Sequence, residues 1–228
     1  MQTIRNLAKK VLSPSAQNLV KKKLHQAGLY TWATKSYEVW LILQNLLYLT
    51  RPQALVEFGA GRSTNYLAEY AAKFSATLVS FEQNLPFCRK VNTCLKLSFL
   101  PSDAVKYAPI KKDWYDLDVV KKHLSELQDI DFLFLDGPVG FDEENRGSQK
   151  FYTEVVPYLK KLKLVVIDDV QYKECDEQAN FLVKKFNMKR YDVGYNQTNT
   201  IAFLLSDHLS QDIHKLPAHL LALLTPRN

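Results

Sequence analysis

What most constrains this chain is an alternation of two patterns. Apolar runs of five or six residues, at 54–58, 77–81, 95–100, 131–135 and 162–167, are separated by stretches with apolar residues at helical spacing, around 66–74, 85–94, 151–159 and 181–186. A run so short and so continuously apolar suits a strand buried on both faces, the condition of a central strand in a parallel sheet. Parallel strands in turn need helical crossovers between them. The expectation is a doubly wound α/β fold. Ahead of the first run, residues 36–50 read as an apolar helix with Trp40, Leu43 and Leu47 at helical spacing, stopped by Arg51-Pro52. A longer connection before residue 131 holds Asp113-Trp114-Tyr115 and a helix with Leu117, Val120, Leu124 and Leu127 on one face. Near the end, runs at 191–195 and 201–205 flank Asn196-Gln197-Thr198-Asn199 and read as an antiparallel hairpin.

With 228 residues, 46% of them hydrophobic, the chain can bury one sizeable core, and one α/β domain at 35–206 is expected. Residues 1–34 read as a helical extension and 207–228 as a helical tail. The net charge of +6 resides in the extension: residues 1–27 hold Arg5, Lys9, Lys10, Lys21, Lys22 and Lys23 and no acid. Removing those six from 30 basic residues leaves 24, equal to the number of acids, so the body is neutral. Contact of this arm with an anionic surface, lipid or acidic polymer, is set against a plain solvated helix face. The apolar stretch 39–49 is interrupted by Gln44 and Asn45 and falls short of the roughly 20 residues that span a membrane. Lys9, Lys10 and Ser13-Pro14-Ser15 break up the first apolar residues, so a secretory signal is not expected there. Cys88, Cys94 and Cys175 lack paired spacing and suit free thiols in a reducing, cytoplasmic setting.

Chemistry concentrates at the ends of the apolar runs. Gly59-Ala60-Gly61 follows a buried strand and opens a helix, where backbone amides can approach a ligand closely. A dinucleotide fingerprint would want a third glycine where Thr64 stands. Glu57, beside the loop, sits badly against a pyrophosphate but suits the ammonium of a zwitterionic ligand. Glu82, ending the second run, can accept hydrogen bonds from both hydroxyls of a ribose, and Asp103, in Ser102-Asp103-Ala104 after the third, can accept one from an adenine amino group. Asp136 ends the fourth run, and Asp168-Asp169 ends the fifth. Three carboxylates converging there repel one another, so they share a proton or bind a divalent cation. The alternative has Asp169 capping a helix and Asp168 bonding backbone amides.

The segment Val56-Glu57-Phe58-Gly59-Ala60-Gly61, with Glu82 and Asp103 at the following strand ends, resembles the first three motifs of class I S-adenosylmethionine-dependent methyltransferases, over roughly residues 36–205. That resemblance implies a Rossmann-like, seven-stranded, mostly parallel sheet with a terminal antiparallel hairpin. It implies S-adenosylmethionine held by Glu57, Gly59, Ala60, Gly61, Ser63, Thr64, Glu82, Asp103, Ala104 and Asp136. Ser36-Tyr37-Glu38 is similar to the serine-bearing entry helix of small-molecule O-methyltransferases, which adds Ser36 to the cofactor site. Asp136, Asp168 and Asp169 resemble the magnesium ligands of catechol-type O-methyltransferases, although the pair here is Asp-Asp and Val139 stands where those enzymes carry a lysine. Asp136 and Asp168 are the catalytic candidates. Asp136-Gly137-Pro138-Val139-Gly140-Phe141, followed by Arg146, is similar to a loop of sugar O-methyltransferases, and Arg146 either grips an acceptor carboxylate or phosphate or is a surface arginine of the polar segment Asp142-Glu143-Glu144-Asn145.

The expected activity is therefore methyl transfer to a hydroxyl of a small molecule or sugar, with Tyr30, Trp32 and Tyr37 set either as roof of the acceptor pocket, Tyr37 binding the acceptor, or as core packing. Its rivals are an NAD(P)-dependent oxidoreductase, a binding module that lost turnover, and a nucleic-acid methyltransferase resting on the basic arm. His208, His214 and His219 are spaced by six and five and do not form a helical zinc pair. Apolar residues from Leu209 to Leu224 are expected to dock a final helix on the core or on a second copy of the chain as a homo-oligomer.

Overall fold

Pro52 cannot extend a helix, so the chain leaves α1 (Tyr37–Thr50) through Arg51, at φ 48°, and enters β1 (Ala54–Phe58). The computed structural model describes residues 37–138, 149–195 and 199–227. From β1 the chain runs through α2 (Arg62–Phe74), β2 (Thr77–Glu82), α3 (Leu85–Leu97), β3 (Val105–Tyr107), a two-stranded hairpin of β4 (Ile110–Lys111) and β5 (Trp114–Tyr115), α4 (Leu117–Ser125) and β6 (Phe132–Leu135). A π-helical turn (Phe151–Val155) and a 3-10 turn (Val156–Tyr158) lead to β7 (Leu164–Ile167), α5 (Lys173–Phe186), β8 (Met188–Gly194) and β9 (Thr200–Ser206). Short elements follow: α6 (Asp207–Ser210), a 3-10 turn (Ile213–Lys215), α7 (Ala218–Leu221) and β10 (Thr225–Arg227).

The sheet has eight strands in the order β10-β8-β9-β7-β6-β1-β2-β3. The five strands from β7 to β3 are parallel, and β9, β8 and β10 are each antiparallel to the neighbour that precedes them towards that edge. Strand order reverses at β1, which has β6 on one side and β2 on the other, and open α/β sheets bind ligands beyond the carboxyl ends at such a point.

Alternation along each strand divides the core. Leu55, Leu78, Phe132, Phe134, Leu164 and Val166 face α1, α2, α3 and α7, whereas Val56, Phe58, Phe81, Leu133 and Val165 face α4, α5 and the irregular turns. Glu57, Ser80, Glu82, Asp136 and Asp168 share the parity of the first set, so all five belong to the α1–α3 face near the carboxyl ends. At the opposite end buried Asp131 knits three strands together: its carboxylate accepts from the amides of Gln53 (2.9 Å) and Ala54 (3.0 Å) and from Lys163 Nζ (2.9 Å).

Three expectations change. Residues 95–100 are not a strand: Cys88, Val91 and Leu95 recur at helical spacing and carry α3 to Leu97, and the third strand is the later β3. The sheet has eight strands rather than seven, because the tail returns as β10; Arg227 Nε donates to Asp192 Oδ2 (2.9 Å), an acceptor that buried Arg190 also holds. The tail is accordingly not one helix, although Leu216, Leu220 and Leu224 do dock on the core beside α1. Ser36, Tyr30, Trp32, Val139, Arg146, residues 1–34 and 196–198 lie outside the described residues. Among the described residues no helix is long and apolar enough to cross a membrane.

Candidate active site

The turn after β1 is shaped by what lies against it. Gly59 adopts φ +92° and donates its amide to Phe81 O (2.9 Å), while Asp136 N donates to Phe58 O (2.8 Å). A side chain at Gly59 would place its Cβ 2.3 Å from the Asp136 carbonyl oxygen, so backbone conformation and close approach both demand glycine there. Gly61 differs: a Cβ would meet nothing within 4 Å. Its amide donates to Thr64 Oγ1 (2.8 Å), which in turn donates to Glu57 Oε2 (2.7 Å); Ser80 Oγ donates to the same oxygen (2.6 Å). Glu57 is 0% exposed and anchors the first turn of α2 from below. Gly61→Ala is therefore expected to leave the melting temperature unchanged while weakening any ligand that approaches the loop backbone; thermal unfolding and calorimetric titration check both halves, and an unaltered affinity would place the ligand elsewhere.

Glu82, 7% exposed, sits where β2 ends. Its Oε1 accepts from Asn84 N (2.7 Å), and the amides of Ala60 and Gln83 also favour the charged form, but burial outweighs them and pushes its pKa up. Tyr107 lies opposite Glu82 in the register of β2 and β3 and is partly exposed. Below the loop, Phe58 packs on Phe81, Trp114 and Tyr115 with centroids 5.1, 5.2 and 5.6 Å away. The Tyr115 hydroxyl lies 2.6 Å from where a Gly137 Cβ would be, and burial, then the charges of Glu82, Asp136 and Glu57, raise its pKa well above the ordinary phenol value.

Beyond β6 and β7 a cavity of 370 Å³ opens, bounded by the strand ends and the first two turns of α5. Asp136, Asp168 and Asp169 each bring a carboxylate oxygen to it, all within 4.8 Å of one another. Asp168 is buried and accepts from Tyr195 Oη (3.0 Å), whose pKa is raised by burial and then by that carboxylate. Asp169, at φ 57°, accepts from Gln171 Nε2 (2.9 Å) and Asn199 Nδ2 (3.1 Å). It does not cap α5, whose N-cap is Tyr172. Cys175 shares the cavity; burial, then Asp169, Glu174, Asp168 and Asp136, push its thiol up to about 12, which keeps it protonated and a poor nucleophile.

No protein-family model and no curated protein matches this sequence. Solved structures do resemble it. An O-methyltransferase from Bacillus cereus, in complex with SAH, superposes with a TM-score of 0.59 at 16% identity, covering 90% of this chain and 97% of its own. A structure described as a putative caffeoyl-CoA O-methyltransferase from Staphylococcus aureus gives 0.57 at 13% identity, with 90% and 98% covered. TomG from Streptomyces achromogenes, an O-methyltransferase in complex with SAM, gives 0.53 at 15% identity, with 75% and 81% covered. The chain has the class I methyltransferase fold.

Within that fold the site residues expected from sequence divide into three groups. Gly59, Ala60, Gly61, Glu82 and Asp136 lie together where β1, β2 and β6 end, the Ala60 amide on the Glu82 carboxylate and Gly59 against the Asp136 carbonyl, with Ser63, Thr64 and Glu57 buried beneath the loop. Asp103 and Ala104 do not join them: they precede β3, level with the start of the β2 pairing, where Ser80 N donates to Ala104 O (2.9 Å), and Asp103 is exposed at the amino side. The misplaced third strand caused that error. Tyr37 is 67% exposed at the start of α1, one turn before Trp40, which stacks on Tyr66 (4.8 Å) with the Arg62 guanidinium over both rings. Tyr107, beside Glu82, and Gln178, in the cavity wall, were not singled out from sequence, nor was Tyr115, which packs beneath the loop. For Tyr107 and Tyr115 the available signal was an aromatic next to a strand end or an acid; for Gln178 there was none. The three C-terminal histidines are exposed and belong to no metal-ligating group among the described residues.

Proposed function

We propose that this protein is an S-adenosylmethionine-dependent methyltransferase acting on a hydroxyl of a small-molecule or sugar acceptor. The observation that carries the reading is the loop at the switch point of the sheet, closed to any side chain at Gly59 yet open at Gly61, with Glu82 buried at the next strand end. S-adenosylmethionine supplies a methyl group on a cationic sulfur, a good leaving group for in-line attack. The backbone of Gly59, Ala60 and Gly61 holds its methionine portion, Glu82 its ribose hydroxyls, and Tyr107 offers a stacking face for adenine in place of Asp103. Glu57 disfavours the oxidoreductase reading, because a buried carboxylate beneath the loop opposes a pyrophosphate.

The chain's own part in transfer is to orient the acceptor oxygen and to take its proton. Asp136 and Asp168 both stand at the cavity for that role, with the Tyr195 hydroxyl fixing the Asp168 carboxylate. The oxygen ligands of Asp136, Asp168 and Asp169 fit a cation of the Mg²⁺ type, which would supply relief of their repulsion and a lowered hydroxyl pKa. On an acceptor found by screening hydroxyl compounds for S-adenosylhomocysteine release, Asp168→Asn is expected to cut turnover about a hundredfold. Cofactor affinity should stay within about twofold, since the residue lies on the acceptor side. EDTA should mimic the substitution; turnover that survives EDTA unchanged removes the metal and leaves Asp136 as the base.

A further inference from the structure

Two side chains of the α5 wall are left over by that assignment. Gln178 is 7% exposed, borders the cavity, and makes no side-chain hydrogen bond among the described residues. Glu174, one helical turn before it, is half-buried on the same cavity and has no ion pair or hydrogen bond among the described residues. The Gln178 side chain is thus more than nine-tenths buried yet its amide is left free at the cavity wall, where a ligand can supply the bond. The cavity's described lining contains four carboxylates, those of Asp136, Asp168, Asp169 and Glu174, and no Lys, Arg or His. A divalent cation on the three aspartates would leave a deficit of two positive charges; without it, with one proton shared among them, the deficit is three.

Building on the methyltransferase reading, we propose that the acceptor is a hydroxyl compound carrying an ammonium group, which pairs with Glu174 while Gln178 hydrogen-bonds a neighbouring polar group. The charge balance selects it whether or not a metal is present. An anionic acceptor would meet a described lining of its own sign.

The test uses the full-length protein saturated with S-adenosylhomocysteine and three matched sets of polyols, bearing an amine, a neutral N-acetyl group or a carboxylate, with binding read by saturation-transfer NMR in EDTA and in Mg²⁺. The amine set is expected to bind in both conditions and the carboxylate set in neither. Glu174→Gln should weaken amine binding about tenfold, the loss of one charge-assisted bond. Glu177→Gln, an exposed acid on the same helix outside the cavity lining, should not. Binding confined to neutral or carboxylate compounds, amine binding abolished by Mg²⁺, no binding by any amine, or an equal response of the two variants overturns the proposal. Calorimetry of S-adenosylhomocysteine with the same protein separates the two readings: no cofactor binding sinks the methyltransferase reading, whereas cofactor binding without amine binding sinks only the acceptor class.

Discussion

Gly59→Ala is expected to destabilise the protein by about 2 to 6 kcal/mol, the sum of backbone strain at a positive φ, about 1 to 3, and overpacking, about 1 to 3. The cause is local. At φ +92° an alanine is strained whatever the space, and its Cβ would lie 2.3 Å from the Asp136 carbonyl, an atom of the sheet itself that cannot swing aside. Either β6 shifts away from β1 or the loop opens, and both separate Glu82 from Asp136. Against a total stability of about 5 to 15 kcal/mol, the loss should appear as a large fall in melting temperature and no measurable cofactor binding. The contrast with Gly61→Ala makes the prediction specific: two glycines two residues apart, one needed by the fold and one needed only by what binds. An unchanged melting temperature for Gly59→Ala would contradict the geometry of the loop.

Removing Glu82 is expected to have the largest effect on binding of any change that leaves the fold intact. Two charge-assisted hydrogen bonds to a ribose, at about 1.5 to 3 kcal/mol each, make Glu82→Ala weaken S-adenosylmethionine by about a hundredfold or more. A dissociation constant within about twofold of the parent would end the ribose assignment. The pH dependence follows from burial. Because Glu82 has a raised native pKa, the folded protein without ligand holds that proton more tightly than the unfolded chain, and stability falls as pH rises from the ordinary glutamate range through the raised value. Cofactor affinity should move the other way over the same interval, since the carboxylate form accepts the ribose hydroxyls. Glu82→Gln should bind weakly with little pH dependence there, and titration calorimetry across the acidic range measures both.

The parallel centre of the sheet was legible because its strands are buried on both faces and so read as unbroken apolar runs. Asp136 and Asp168 were legible with it, since residues that end such runs necessarily sit at the carboxyl edge. Where a strand is at an edge, that signal disappears. β3 is three residues long with only Val105 buried, whereas the stronger apolar run before it is the last turn of α3. The consequence reached the site: Asp103 was assigned to the wrong end of the sheet, and Tyr107 went unnoticed. β10, Thr225-Pro226-Arg227, is exposed throughout, and proline is tolerated there only because the strand lies at the sheet's outer edge. Tyr115 and Gln178 come from segments whose local pattern is unremarkable. Their positions depend on how the β4–β5 hairpin folds beneath the loop and how α5 abuts β7, which are tertiary facts that no local spacing encodes.

The central claim, that the crevice at the end of β1 and β2 holds S-adenosylmethionine, is tested most directly by calorimetric titration of the purified full-length protein with S-adenosylmethionine, S-adenosylhomocysteine, NAD⁺ and NADP⁺ in parallel with Glu82→Ala. The expected result is saturable binding of the two adenosyl sulfur compounds, lost in the variant, and no heat from either dinucleotide. Binding of a dinucleotide in their place, or adenosyl binding that Glu82→Ala leaves intact, would contradict it.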